Sequence, residues 1–228
     1  QERIVSILDK AFFAINQAKQ NAEKNLKNAK ELFDSYLSGI FTNKGDDWEI
    51  KKLGDICENL DSKRVPITKS SRTAGSVPYY GASGIVDYVS NYIFDEDLLC
   101  VSEDGANLLA RTYPIAFSIS GKTWVNNHAH VLRFNNMVTQ KFVELYLNSN
   151  KHDDYVSGMA QPKLNQTMLN KIPIPTPQLP EQEKLVIKLD DLSKELKQLE
   201  DVYQQKLIEL EDLKKSILQK AFNGELSI

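Results

Sequence analysis

The chain has 228 residues, 41% hydrophobic and 26% charged, with 10 glycines and 8 prolines. That composition excludes a disordered or collagen-like chain and suffices for a core in one or two domains. No run of about eighteen apolar residues is long enough to span a bilayer and no charged-then-apolar leader opens the chain, so a cytoplasmic protein is expected. Cys57 and Cys100 are too few for a disulfide framework and lie in no metal-ligand spacing, so both are expected to be reduced. The 28 basic and 31 acidic residues give a net charge of −3 and a pI near 5.7. Taken globally this argues against a simple basic nucleic-acid-binding domain.

The first element is a helix over residues 1–41. Its apolar stripe, Ile4, Leu8, Ala11, Ile15, Ala18, Ala22, Asn25, Ala29, Leu32 and Tyr36, steps alternately by four and three, the 3.5-residue period of a coiled-coil seam. Residues 42–180 have a different texture. The runs Val77–Tyr80, Ile85–Val89, Asp97–Val101, Ile115–Ile119 and His130–Phe134 read as short strands, punctuated by Gly81, Gly84, Gly105 and Gly121. Lys141–Asn148 is the one segment there that reads as a short helix, and the proline alternation of Lys171–Pro180 predicts an extended edge.

Residues 181–228 form the second helix. Leu185, Leu189, Leu192, Leu196, Leu199, Tyr203, Lys206, Leu210, Leu213 and Ile217 keep the same period, and forty such residues make a rod of roughly 60 Å. The two helices are copies of one segment. At an offset of 181, Gln1-Glu2-Arg3-Ile4-Val5 falls on Gln182-Glu183-Lys184-Leu185-Val186, and the register continues without a gap to Phe41 on Phe222. An alanine-rich stripe facing a leucine-rich one implies that the copies pack on each other. Seam positions Ile4, Leu8, Ile15, Leu189, Leu196 and Leu213 are expected at that interface, with Asn25 and Lys206 as equivalent polar interruptions that fix register. Periodicity alone leaves parallel and antiparallel pairing open. The plan is an α+β protein: helix, mixed β-rich domain, helix.

The charge is segregated. Residues 181–228 hold 8 basic and 11 acidic side chains, whereas residues 42–180 hold 14 and 15. Within the central domain, Ser62–Val86, Gly105–Val143 and Tyr155–Pro180 contain no acid at all. A fold that brings these stretches to one face is expected to present a positive surface despite the near-neutral total. They carry Lys63, Arg64, Lys69, Arg72, Lys122 and Lys163 as candidate phosphate or guanine contacts. Tyr79, Tyr80, Ser83, Trp124, His128, Gln161 and Asn165 are candidates for base edges or for supporting the loops.

Catalytic signatures are wanting. His128-Ala129-His130 has a spacing a metal can use but no nearby carboxylate or thiol in sequence, so one inward and one outward histidine on a strand is expected. Gly81-Ala82-Ser83-Gly84 is not a nucleophile elbow, there is no Walker A run, and Glu195-Leu196-Lys197 spends its central residue on the helix seam. No Asn-Pro-Pro-aromatic tetrad or GxGxxG loop occurs. The expectation is a non-catalytic protein with no cofactor and no metal. A nuclease lacks its carboxylate cluster, and the competing reading is a coiled-coil adaptor whose β-rich domain binds a protein or glycan.

Three stretches carry a family resemblance: Asp47-Trp48-Glu49-Ile50-Lys51-Lys52-Leu53-Gly54-Asp55-Ile56, Pro78-Tyr79-Tyr80-Gly81-Ala82-Ser83-Gly84-Ile85, and Ser157-Gly158-Met159-Ala160-Gln161-Pro162-Lys163-Leu164-Asn165. The last leads into Ile172-Pro173-Ile174-Pro175 and Leu179-Pro180-Glu181-Gln182-Glu183. With them the chain resembles the specificity subunit of type I restriction-modification systems. The resemblance implies a target recognition domain over 42–180 that reads one half of an interrupted site in double-stranded DNA. It also implies conserved spacer helices, packed antiparallel, that dock methyltransferase (modification) subunits, with restriction subunits joining the full complex. Only one recognition domain is present and Gln1 aligns inside the motif, so the chain is expected to be a C-terminal half or a piece of a longer subunit. A second copy pairing through the helices would read a two-fold symmetric site, and the free protein is expected to dimerise.

Overall fold

The computed structural model describes residues 2–158 and 160–225. Gln1 of the repeat, Met159 of the third matching stretch and the last three residues of the second spacer lie outside the described residues. In chain order the elements are α1 (Glu2–Thr42), β1 (Glu49–Lys52), α2 (Leu53–Ile56), β2 (Glu58–Asn59), β3 (Ala74–Gly81), β4 (Gly84–Val89), β5 (Phe94–Asp95), β6 (Leu98–Ser102), α3 (Asn107–Ala110), β7 (Ala116–Ile119), β8 (Lys122–Val125), β9 (Ala129–Arg133), α4 (Met137–Ser149), α5 (Gln166–Lys171), β10 (Pro173–Thr176) and α6 (Leu179–Phe222). Two compact units result, Gln1–Tyr36 with Lys188–Ile228, and Leu37–Ile187. Among the described residues no helix is long and apolar enough to cross a membrane.

In the helical unit α1 and α6 pack antiparallel. Lys19 meets Glu211 at 2.8 Å and Lys30 meets Glu200 at 2.9 Å, so advance along one helix is retreat along the other. Ile15 and Leu189 are buried, and Ile4, Leu8 and Leu196 half-buried, on the facing stripes. The expected seam needs one correction. Asn25, Lys206 and Leu213 face solvent, as does Leu32 at 73% exposure, while Leu26, Phe33, Leu207 and Lys214 turn inward. A straight α-helix of 3.6 residues per turn drifts by about 20° per heptad from a 3.5 repeat, so after Ala22 and Tyr203 a four-residue step replaces the expected three. The displacement falls at equivalent points of the two copies. Asn25 still reaches across the seam edge, donating from Nδ2 to the Tyr203 hydroxyl at 3.1 Å.

The globular unit is layered around the sheet β2-β9-β6-β7, all antiparallel. Strand β6 is buried at every residue because both of its faces are covered. The two-residue period sends Leu99 and Val101, with Leu132 of β9, into a cluster with Val143 and Leu147 of α4 and Leu169 of α5. Leu98 and Cys100, with Val131, go into the opposite cluster with Phe94 and Val125 of the second sheet. That second sheet has the order β4-β3-β8-β5, with β3 and β8 parallel. The proline-alternating exit becomes β10, paired antiparallel with β1, an edge pairing that tolerates the missing amides.

The five strand-like runs correspond to β3, β4, β6, β7 and β9, and the helical segment lies within α4, capped by Asn136, whose side chain accepts from the amides of Val138 and Thr139. Short β1, β2, β5 and β8 and the six-residue α5 had no comparable signal in the sequence. His152, 4% exposed, is packed against Tyr146 with a buried Nε2 that has no hydrogen-bond partner among the described residues. Burial, and then the nearby Arg111 charge, lower its pKa to about 4.

A folded-state pKa below that of the unfolded chain means that the unfolded state alone takes up the proton between about pH 6.5 and 4, so acidification favours unfolding there. From pH 7 to pH 5 this group should remove about 2 kcal/mol of stability. Urea unfolding of His152→Gln at the two pH values should show that component missing, with a flatter pH dependence than the parent protein.

Candidate nucleic-acid interface

One edge of the globular unit gathers loops from distant parts of the chain. The turn after β3, the segment following β6, the turn between β8 and β9 and the loop before α5 meet there through backbone bonds. The Glu103 amide donates to His128 O at 2.9 Å, Gly105 to Pro162 O at 3.0 Å, Leu164 to Glu103 O at 2.8 Å, and Asn126 to Tyr80 O at 3.0 Å. The Ser102 hydroxyl holds Ala82 O, and Ser83 donates to the Tyr113 hydroxyl at 3.1 Å. Ser157 and Lys163 exchange two backbone bonds, closing the loop that presents Gln161. Asp104, Gly105, Ala106 and residues 160–163 line a recess of about 420 Å³.

The loops are anchored by a buried ion network. His130, 1% exposed, points Nδ1 at Asp61 Oδ2, 2.5 Å away, and Nε2 at the Leu164 carbonyl, 2.7 Å away. The Leu164 carbonyl can only accept, so Nε2 carries a proton, while Asp61 faces Nδ1 and also takes the Val131 amide and the Asn59 side chain. Arg64 donates to Glu103 at 2.7 Å and to Ala129 O at 2.7 Å and lies 3.4 Å from Asp61, while Lys163 sits 3.1 Å from the other oxygen of Glu103. Burial alone would raise both carboxyls. For Asp61 the His130 hydrogen bond and charge, the Val131 amide and the Arg64 charge together, and for Glu103 the Arg64 and Lys163 hydrogen bonds with the nearby charges together, outweigh it and hold the pKa below the usual carboxylate value.

Asp61, Glu103 and His130 bring their ligand atoms within 4.8 Å of one another, a metal-like grouping. With both imidazole nitrogens held in hydrogen bonds and Arg64 and Lys163 on Glu103, the grouping is satisfied by its own partners. Its chemistry is that of a charge-compensated clamp between β9, the turn after β2 and the loop before α5.

The expected positive face is corrected by these contacts. The acid-free stretches fold against the acids that bracket them in sequence: Arg64 and Lys163 pair with Glu103, His128 with Asp104 at 2.9 Å, Arg72 with Asp87 at 2.9 Å and Arg133 with Glu96 and Glu58. Among the candidate cations, Lys63, Lys69 and Lys122 have no carboxylate partner among the described residues. Lys122 lies over the Tyr92 ring at 4.8 Å, at the end of β8 away from His128, and Lys63 contributes to lowering the Glu96 pKa at the Arg133 end of β9.

The remaining candidates divide by burial. Ser83, His128, Gln161 and Lys163 are exposed on the gathered loops. Asn165 neighbours them, but its side-chain oxygen accepts from the Met168 amide as the N-cap of α5. Tyr79 is 1% exposed, with Arg72 stacked 4.2 Å above its ring and its hydroxyl on Ile67 O. Trp124 donates to Val65 O at 2.7 Å, and Tyr80 stacks on Phe117 with its hydroxyl pKa raised by burial. Arg72, Tyr79 and Trp124 thus strap the Arg64–Arg72 segment to the second sheet and do not stand free at the surface. Asp61, Glu103 and Asp104 went unnoticed in the sequence because only the fold reveals their partners; the Asp61–Arg64 spacing was the one local hint.

This architecture has known counterparts. The pattern defining the type I restriction modification DNA specificity domain matches residues 45–211. The chain belongs to that family. It is 32% identical over 168 residues to a putative type I restriction enzyme specificity subunit of Haemophilus influenzae, covering 74% of this chain and 42% of that protein. Among solved structures, a chain from a study of complex assembly and conformational transition in a type I R-M system superposes with a TM-score of 0.81 at 19% identity, over 98% of this chain and 59% of that one. The HsdS subunit of Thermoanaerobacter tengcongensis gives 0.64 at 20% identity, over 99% and 59%. The chain thus spans under two thirds of the length of these proteins, and the likeness to the solved structures establishes the fold.

Removing one partner from a buried ion pair strands the other, at about 3–5 kcal/mol. Asp61→Ala should lose that much in urea unfolding at neutral pH. Because the Asp61 and Glu103 pKa values are depressed, their contribution is present above the unfolded carboxylate range near pH 4 and vanishes as pH falls below it. The acid limb of the stability curve should therefore be shallower in Asp61→Ala than in the parent.

Proposed function

We propose that this chain is a DNA-recognition subunit, with residues 42–180 reading one half of a bipartite site and residues 1–41 and 181–228 acting as spacer helices that dock modification subunits. One observation carries the reading: Ser83, His128, Gln161 and Lys163, from three separate loops, stand exposed on one edge whose backbone is fixed from beneath by buried ion pairs. Sequence readout needs donors and acceptors held in a fixed arrangement, and rigid loops presenting an amide, a hydroxyl, an imidazole and an ammonium supply them. Family membership supports the same reading over that of a protein- or glycan-binding adaptor.

In this scheme Gln161 contacts a base edge, and Lys163 moves from Glu103 to a phosphate. Arg64, Arg72, Tyr79, Tyr80, Trp124 and Asn165 hold the loops. Lys63, Lys69 and Lys122 add positive potential along the flanks. The protein performs no chemistry itself; modification subunits supply methyl transfer and much of the phosphate contact, which suits a recognition domain whose own charges are largely compensated. Restriction subunits join the same assembly, and two copies joined through their helices would read a two-fold symmetric site.

The test combines the chain with its modification subunits and maps methylated bases. One interrupted sequence should be modified. Gln161→Ala should relax specificity at a single position, a loss of about 1–3 kcal/mol of discrimination. Lys163→Ala should weaken binding to all sequences alike and lower the salt slope by about one. Absence of duplex binding at low salt with the modification subunits present would overturn the proposal.

A further inference from the structure

The 181-residue offset and the antiparallel packing together give the helical unit a pseudo-two-fold axis, which exchanges residue n of α1 with residue n + 181 of α6. Burial follows this symmetry: Leu8 and Leu189, Ile15 and Leu196, and Leu26 and Leu207 all face inward. By spacing alone, then, α1 could pair with a second α1, and α6 with a second α6, as readily as α1 pairs with α6. Something else must choose among three nearly equivalent seams.

The interhelical ion pairs make that choice. Lys19 lies 181 residues before Glu200, and Lys30 lies 181 before Glu211. The bridges Lys19–Glu211, 2.8 Å, and Lys30–Glu200, 2.9 Å, are therefore images of each other under the axis, with the signs of equivalent positions reversed. At both sites α1 supplies the lysine and α6 the glutamate. In the same register an α1·α1 pair would set Lys19 against Lys30 of the other copy, twice, and an α6·α6 pair would set Glu200 against Glu211, twice. The third contact points the same way: Asn25 bonds Tyr203 at 3.1 Å, whereas its image would place Ala22 beside Lys206.

We propose that Lys19, Lys30, Glu200 and Glu211 form a pairing code that admits only an α6-type helix beside α1, so that a second copy of this chain can join only by exchanging α1 for α6. Each exposed pair is weak alone. Selectivity comes from the difference between two attractions in the admitted seam and two repulsions in either excluded one. Nothing in this depends on DNA reading, and the assay below contains no DNA.

Three full-length variants test it: Lys19→Glu with Lys30→Glu, Glu200→Lys with Glu211→Lys, and all four together. Each double variant should lower the thermal midpoint of helix loss by about 4 °C, and the fourfold reversal should recover it to near the parent value. The differences should shrink in about 1 M salt, where the Debye length is about 3 Å. With distinct affinity tags, the two double variants should co-purify when mixed, at low salt, while neither captures a differently tagged copy of itself. Self-capture equal to the mixed capture, or a fourfold variant no more stable than the doubles, would overturn the code.

Discussion

The doubly hydrogen-bonded imidazole of His130 is the contact on which the edge of gathered loops depends. Its two bonds run to parts of the chain that share no secondary structure, Asp61 after β2 and the Leu164 carbonyl before α5. Bridging the two, His130 ties the position of Asp61 to that of Leu164 in the loop before α5. Arg64 and Lys163 extend it by pinning Glu103 from two sides, so that the exposed lysine of the loop before α5 is tied to the same buried charges.

This arrangement explains how a protein of net charge −3 belongs to a DNA-specificity family. Arg64 and Lys163 are matched locally by Asp61 and Glu103, which leaves little long-range field. Local pairing also supplies rigidity. Lys163, held by Glu103 on a loop closed by the Ser157–Lys163 backbone pair, has a defined position.

What the sequence revealed follows interaction range. The run Leu98–Val101 was legible as a strand because burial on both faces makes it continuously apolar, and the 181-residue repeat was legible because it needs no structure at all. The seam was legible only to within one residue: a strict heptad puts Asn25 and Lys206 inward, and the accumulated twist of a straight helix puts Leu26 and Leu207 there instead. Tyr79 and Asn165 were unreadable in detail because an aromatic under an arginine or an N-capping amide looks, in sequence, like a side chain free to bind. The ion network was invisible for the same reason: the links from His130 to Asp61 and from Arg64 to Glu103 bridge 69 and 39 positions.

The helical unit shows the complementary problem, that of too much local similarity. A duplicated segment makes every self-pairing nearly as good as the intended one, and apolar seams discriminate poorly among partners of the same period. The two copies have diverged where divergence distinguishes them: small side chains such as Ala11, Ala18 and Ala29 on α1 against Leu192 and Leu210 on α6, and lysine against glutamate at both bridge positions. Size and charge reinforce each other, since two alanine stripes would leave a gap, two leucine-and-tyrosine stripes would crowd, and both would carry like charges. A repeat that kept its period while inverting its charges at the two bridge positions keeps the packing of α1 on α6 while denying it to two like helices.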